Sequence, residues 1–227
     1  MSLDYTTYVA QISNIMSVSS ATSQFQTMLP GMIDYAEQRI YRELNLIATR
    51  IINSASSLTA NNRVFTLPTD QGRFVTVTSV NVITPAGTPA ASGTRNVLQH
   101  MPQNFVDYIG PTNTSSAASD IPIAFYMKDQ NTIIVGPAPG AAYNVEVIGT
   151  IRPTPLSSAN PTTFLTLYLP DLFIAASMTF GSGYQRDFGS QADNPAQAVS
   201  WETQYEKLFA SANAEELRKK YNEEAYK

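Results

Sequence analysis

His100 is the one histidine in 227 residues, and the chain has no cysteine. A Ser–His–Asp arrangement would need that imidazole beside a nucleophile and a carboxylate. His100 lies between Gln99 and Met101, with Pro102 following, and no nucleophile motif surrounds it. A single imidazole cannot build a histidine-based metal cluster, and thiolate metal sites and disulfides need cysteine. Glycine patterns also stop short. Gly181-Ser182-Gly183 lacks the third glycine of a dinucleotide fingerprint, where Arg186 stands instead. There is no Gly-Lys-Ser/Thr phosphate loop, and Asp129 with Asn131 reads as a hairpin turn rather than a calcium loop.

Paired carboxylates are harder to exclude, because a glycosidase needs only two of them about 5–10 Å apart. Asp107, Asp120, Asp129, Glu146 and Asp187 are the candidates, and their spacing pairs none of them. Tyr126 and Tyr143 could stack on sugars if exposed, which keeps a carbohydrate-binding sheet domain as an alternative. The pattern as a whole implies no catalytic residue, no cofactor and no metal.

Charged residues make up 14% of the chain, against roughly 25% in an average soluble domain. Its outer surface must therefore be rich in uncharged Ser, Thr, Asn, Gln and Ala. Such surfaces can meet without desolvating many charges, which favours self-association. Net charge is −4, so no broad basic face awaits a nucleic acid. The start, MSLDYTTYVAQ, has no basic region followed by an apolar run, so an export signal is not expected. No apolar run approaches the ~20 residues that cross a bilayer, so no membrane partner is expected.

The elements that must carry these residues change character twice. Tyr5, Tyr8, Val9, Ile12 and Met16 recur at helical spacing behind Asp4, a suitable cap. Ser23 and Gln26 have the spacing of a capping box, and Pro30 suits a first helical turn. Ile33, Ala36, Ile40, Leu44 and Ile47 then form the clearest apolar stripe, with Arg39 and Glu43 one turn apart. From Arg50 the period becomes two. Ile51–Ser57 and Arg63–Leu67 flank Ala60-Asn61-Asn62 like a hairpin. Val75, Val77, Val80 and Val82 read as a strand, Pro102–Ile109 as a helical turn, and Ala124–Lys128 with Thr132–Val135 as a second hairpin. Val145, Val147 and Ile151 complete about six strands. Helix resumes at Pro170-Asp171 and again at Asn194-Pro195, with Trp201, Tyr205, Leu208 and Ala212 as the buried side.

The expected class is α+β. Residues 1–47 and 164–212 form a helical bundle, and 48–163 form an inserted small antiparallel β-sandwich or barrel-like lobe. Residues 213–227 form a C-terminal arm. That arm contains AEELRKKYNEEAYK, in which tyrosines offer apolar contact and mixed charges offer register. Leu217, Arg218, Lys219, Lys220, Tyr221 and Tyr226 are its candidate docking residues.

Four segments carry a family resemblance. LPGMIDYAEQRIYRELNL, from Leu29 to Leu46, resembles the N-terminal helix of head-to-tail adaptor (connector) proteins of tailed bacteriophages, mainly the short-tailed type. NNRVFTLPTD (Asn61 to Asp70), AFYMKDQNTIIVGPAPG (Ala124 to Gly140) and FLTLYLPDLFIAASM (Phe164 to Met178) follow in the family's order. Phe180-Gly181-Ser182-Gly183-Tyr184 is richer in glycine than the family's helix at that point. The resemblance implies a virion structural subunit at the head–tail junction, assembled in the host cytoplasm. It implies a homo-oligomeric ring, commonly twelve-fold, seated below the portal protein. The helical lobe would make the ring, the sheet lobe would face a tail nozzle or tube protein, and the arm would insert between portal subunits. DNA would be passing cargo. Another head-closure or tail-completion part of the virion is the alternative within the same class.

Overall fold

The computed structural model describes residues 3–111, 120–188 and 195–225, with no side chain between 183 and 198 or beyond 222. Two compact units divide the chain. The first holds Met1–Ala48 and Thr154–Lys227, and the second holds Thr49–Pro153. Among the described residues there are six α-helices and seven strands, an α+β fold with a barrel-like lobe. No described helix is long and apolar enough to cross a membrane.

The helical unit comprises α1 (Tyr5–Ile15), α2 (Ser23–Glu43), α4 (Phe164–Tyr168), α5 (Pro170–Phe188) and α6 (Pro195–Ala225). Asp4 caps α1 as its position implies: its carboxylate accepts the Thr7 N–H, and the Thr7 hydroxyl accepts the Asp4 N–H. Start signals mislead at α2. Thr22 is its N-cap, without a side-chain bond, so Ser23 and Gln26 form no capping box there. Pro30 lies inside the helix rather than in its first turn. The earlier turns form because Phe25, Met28 and Leu29 are buried, and their burial outweighs one lost backbone bond. Pro170 and Asp171 do open α5, where the Asp171 carboxylate accepts the Leu172 N–H. The proline at 195 opens α6, while its expected cap Asn194 lies outside the described residues.

The α2 stripe meets α5, and α5 packs on α6. Tyr8, Ile12, Met32, Ile33, Ala36, Ile40, Leu172, Phe173 and Tyr205 share one core. Gly181 explains the unexpected glycine in α5: a Cβ there would stand 2.8 Å from Met32 Cε and 3.5 Å from Met16 Sδ. Both neighbours are ends of flexible side chains. Gly181→Ala should therefore change stability by no more than about 1 kcal/mol, since helix propensity gained offsets the displaced methionine. Thermal melts of the two proteins test this.

In the second unit a seven-stranded mixed sheet curls as a half-barrel. Its strands are β1 (Arg50–Ser57), β2 (Val64–Thr66), β3 (Gly72–Thr84), β4 (Thr94–His100), β5 (Ala124–Met127), β6 (Thr132–Gly136) and β7 (Asn144–Pro153). Their order is β1-β7-β3-β4-β5-β6-β2, with β4 and β5 parallel and the other pairs antiparallel. The hairpin at Asp129–Asn131 is present. The one expected at Ala60–Asn62 is not: β1 pairs with β7 and β2 with β6, at opposite ends of the sheet. A turn does form there, with Asn61 at φ +60. What redirects the chain is Arg63, buried to 2% exposure. Its Nε–H donates to Val135 O at 2.9 Å and one Nη2–H to Val106 O at 2.9 Å, fixing the start of β2 on β6 and on α3 (Gln103–Ile109).

Along β3, two bulges shift the alternation, so Val80 and Val82 are buried while Val75 is exposed. Gly149 sits at one of these irregularities, where a Cβ would fall 2.1 Å from Thr76 O. The inner face, with Phe74, Val80, Val82, Leu98, Phe125, Ile133, Val145, Val147 and Ile151, forms this unit's core.

Candidate functional site

Four of the candidate carboxylates are hydrogen-bonded in the described structure. His100 is exposed and meets Phe125 edge-on at 5.2 Å. Asp107 accepts from Arg63 at 3.0 Å, Asp120 accepts the Ile121 N–H, and Asp129 accepts the Asn131 N–H. Glu146 is held by Arg95 and Asn81, and the Arg95 guanidinium keeps its carboxyl below the usual range despite burial. The Asp187 side chain lies outside the described residues. Tyr126 and Tyr143 are not open platforms. Each is partly buried against a core cluster, which leaves less ring surface for sugar stacking. Among the described residues, no group of three potential metal ligands occurs.

The end of α6 is different. The helix runs unbroken from Pro195 to Ala225, so the expected arm continues a bundle helix. Its lower part is fixed to α2 by a network that local spacing shows only in part. Arg39 pairs with Glu43 at 3.2 Å as expected one turn away, and also grips Glu202 of α6 through both terminal nitrogens. Its guanidinium lies 3.9 Å over the Tyr205 ring, and the Tyr205 hydroxyl donates to Glu43 at 2.6 Å. The bond to Arg39 holds the Glu202 carboxyl below its ordinary value.

Further along, Glu216 is 4% exposed. One oxygen accepts the Ile47 N–H at 3.1 Å and the other accepts from Lys219 at 2.8 Å. Lys219 also contacts Glu215 at 2.7 Å, and these two carboxylates raise its pKa, Glu215 first. Lys219 is therefore spent inside the helix. Beyond that anchor the character inverts. Leu217 is 58% and Tyr221 74% exposed, one turn apart. With Arg218, Lys220 and Asn222 they line an open depression. So Leu217, Arg218, Lys220 and Tyr221 lie together, Lys219 is paired within the chain, and Tyr226 lies outside the described residues.

The sequence reading missed two buried carboxylates. Glu216 has no local signal. Glu37 has one, since it falls four residues after Ile33 and three before Ile40, inside the apolar stripe. It is 4% exposed and accepts the Leu156 N–H at 2.9 Å. Burial pushes its carboxyl up to about 7, against the lowering by that bond and with a small push from Asp34.

No curated protein matches the chain. The family model described as SU10 adaptor protein matches residues 3–224, almost the whole length and all four segments that carry the adaptor resemblance. The chain belongs to the SU10 adaptor protein family, the structural adaptors of bacteriophage virions.

Proposed function

We propose that this adaptor forms a ring at the head–tail junction of a short-tailed phage, joining the portal protein to a tail nozzle or tube protein and letting DNA pass. The helical unit makes the ring, commonly twelve-fold in such adaptors, and the sheet unit faces the tail. Ring closure uses two different faces of each copy. The net charge of −4 suits a wall along which DNA slides without being held.

The observation that carries the portal contact is the inversion within α6. Glu216 is locked, and the next residues expose Leu217 and Tyr221 with Arg218 and Lys220 beside them. An exposed Leu–Tyr pair on a rigid helix loses little entropy on docking, and a Tyr anchor with a basic rim is common at binding hot spots. Deleting the arm from Ala214 would also remove Glu216, so point changes are the cleaner test. Leu217→Ala with Tyr221→Ala should weaken capture by the portal ring about ten- to a hundredfold. The melting temperature should stay unchanged, because both side chains are exposed. Equal capture of wild type and variant on immobilised portal would remove this docking site.

A further inference from the structure

Arg73 and Arg152 are direct cross-strand partners in β3 and β7. Their neighbours Phe74 and Ile151 are buried in the sheet core, so both arginines stand on the opposite face. Like charges directly opposite one another destabilise a sheet. Among the described residues neither guanidinium has a salt-bridge partner. The Arg152 Nε–H is withdrawn from solvent and meets no acceptor. A crowded cationic pair left without salt-bridge partners attracts oxyanions.

The surroundings say which kind. Val75, extruded by the bulge after Phe74, is 53% exposed, and Ile52, on the same face of β1, is 60% exposed. Arginine among exposed aliphatic side chains is the composition of a protein interface. A surface that follows a phosphodiester backbone needs a longer run of cations. Charge is also divided unevenly along the chain. Residues 49–153 hold six Lys or Arg against five Asp or Glu, and the helical unit holds eight against thirteen. The two balances, +1 and −5, give the net −4. The excess of carboxylates that could complement the pair in a second copy thus lies in the helical unit. Within it Glu206 is exposed and has no cation partner among the described residues.

We propose that Arg73 and Arg152 are the receiving half of a subunit–subunit contact, seating carboxylates from the helical unit of a second copy. This rests on the ring reading above and adds to it: the sheet unit of one copy meets the helical unit of the next, so the ring contact is not made by helical units alone. Removing a charge from the pair relieves the repulsion within a copy while removing attraction between copies, so folding and assembly should respond in opposite directions.

The test is assembly of the full chain, alone and on its portal ring, followed by mass photometry across salt concentrations. Arg73→Glu, which places a carboxylate opposite Arg152, should raise the concentration needed for assembly at least tenfold. Its monomer should melt at the same temperature or higher. Arg73→Ala should show a smaller loss of the same sign, and serves if the reversal fails to fold. Assembly of a folded Arg73→Ala protein at the wild-type midpoint, with wild type forming rings, overturns this contact alone. Wild type that stays monomeric both alone and on the portal overturns the ring reading together with it. If the variants lose binding to a labelled DNA duplex while rings form normally, the seat serves phosphate and the proposal fails.

Discussion

Replacing Arg63 by methionine should destabilise the sheet unit by about 2 kcal/mol, since a buried acceptor left unpaired costs roughly 1–3 kcal/mol. Methionine fills much of the volume, so the loss reports hydrogen bonding more than cavity formation. The acceptor left unpaired is Val135 O on β6, whereas Val106 O on α3 keeps the Gly110 N–H. Space is tight as well: Gly110 lies so close that a Cβ there would stand 3.1 Å from the Arg63 Nε. The ion pair itself is the lesser part. Asp107 is 43% exposed and can return to water, so Asp107→Asn should cost less than about 1 kcal/mol. Urea unfolding followed by a probe in residues 49–153 distinguishes the two. Similar small losses for both variants would show that Arg63 does not hold β2 in place. A loss of about 2 kcal/mol is still a sizeable part of the ~5–15 kcal/mol that typically separates folded from unfolded domains.

Arg63 also marks the limit of what the chain reveals locally. Ile33, Ala36 and Ile40 point to α2 because helical spacing is a property of neighbours, and all three are buried. Asp4 and Thr7 cap α1 across one turn, and the β5–β6 hairpin closes over four residues for the same reason. Strand partners are chosen over longer distances. Ile51–Ser57 and Arg63–Leu67 have the separation of a hairpin, yet each pairs elsewhere, because a buried guanidinium gains more from carbonyls on β6 and α3 than from the edge of β1. The bulges in β3 likewise depend on β7 lying alongside, with Gly149 admitting Thr76 O. A pattern of valines alone does not show which of them turns outward.

The candidate surface is divided in the same way. Leu217, Arg218, Lys220 and Tyr221 are legible as a polar helix end with few core residues. Whether such an end is held or loose depends on Glu216, whose partner Ile47 is 169 residues away. Lys219 looks like its cationic neighbours in the sequence, and only its two carboxylate contacts withdraw it. Arg73 and Arg152 are unremarkable apart, and become a pair only through the register of β3 on β7.

Glu37→Gln should remove most of a pH dependence worth about 3 kcal/mol, taking 1.36 kcal/mol for each unit between the ordinary carboxyl value and the shifted one. In the folded chain the Glu37 carboxyl rises from near 4.5 to about 7, chiefly because it is buried. Between those values the unfolded chain has released the proton and the folded chain still holds it. Stability from this group is therefore full below pH 4.5 and lost as pH rises through 7. Above pH 7 the folded chain carries a buried carboxylate near Asp34, within electrostatic reach of Tyr8 and Tyr41. The Tyr8 hydroxyl is committed to Ser177, and the buried Tyr41 hydroxyl has no partner among the described residues. Glutamine keeps an oxygen for the Leu156 N–H and cannot ionise. The variant should thus be the more stable protein at pH 8 and close to wild type at pH 5. Denaturant titrations at pH 5, 6, 7 and 8 supply the comparison, and parallel stability profiles for the two proteins would show that Glu37 ionises normally. Leu156 stands where the chain re-enters the helical unit after Pro153. A carboxyl that titrates near neutrality at that position makes the packing of the re-entry segment on α2 responsive to pH while β7 and its ladder are left alone.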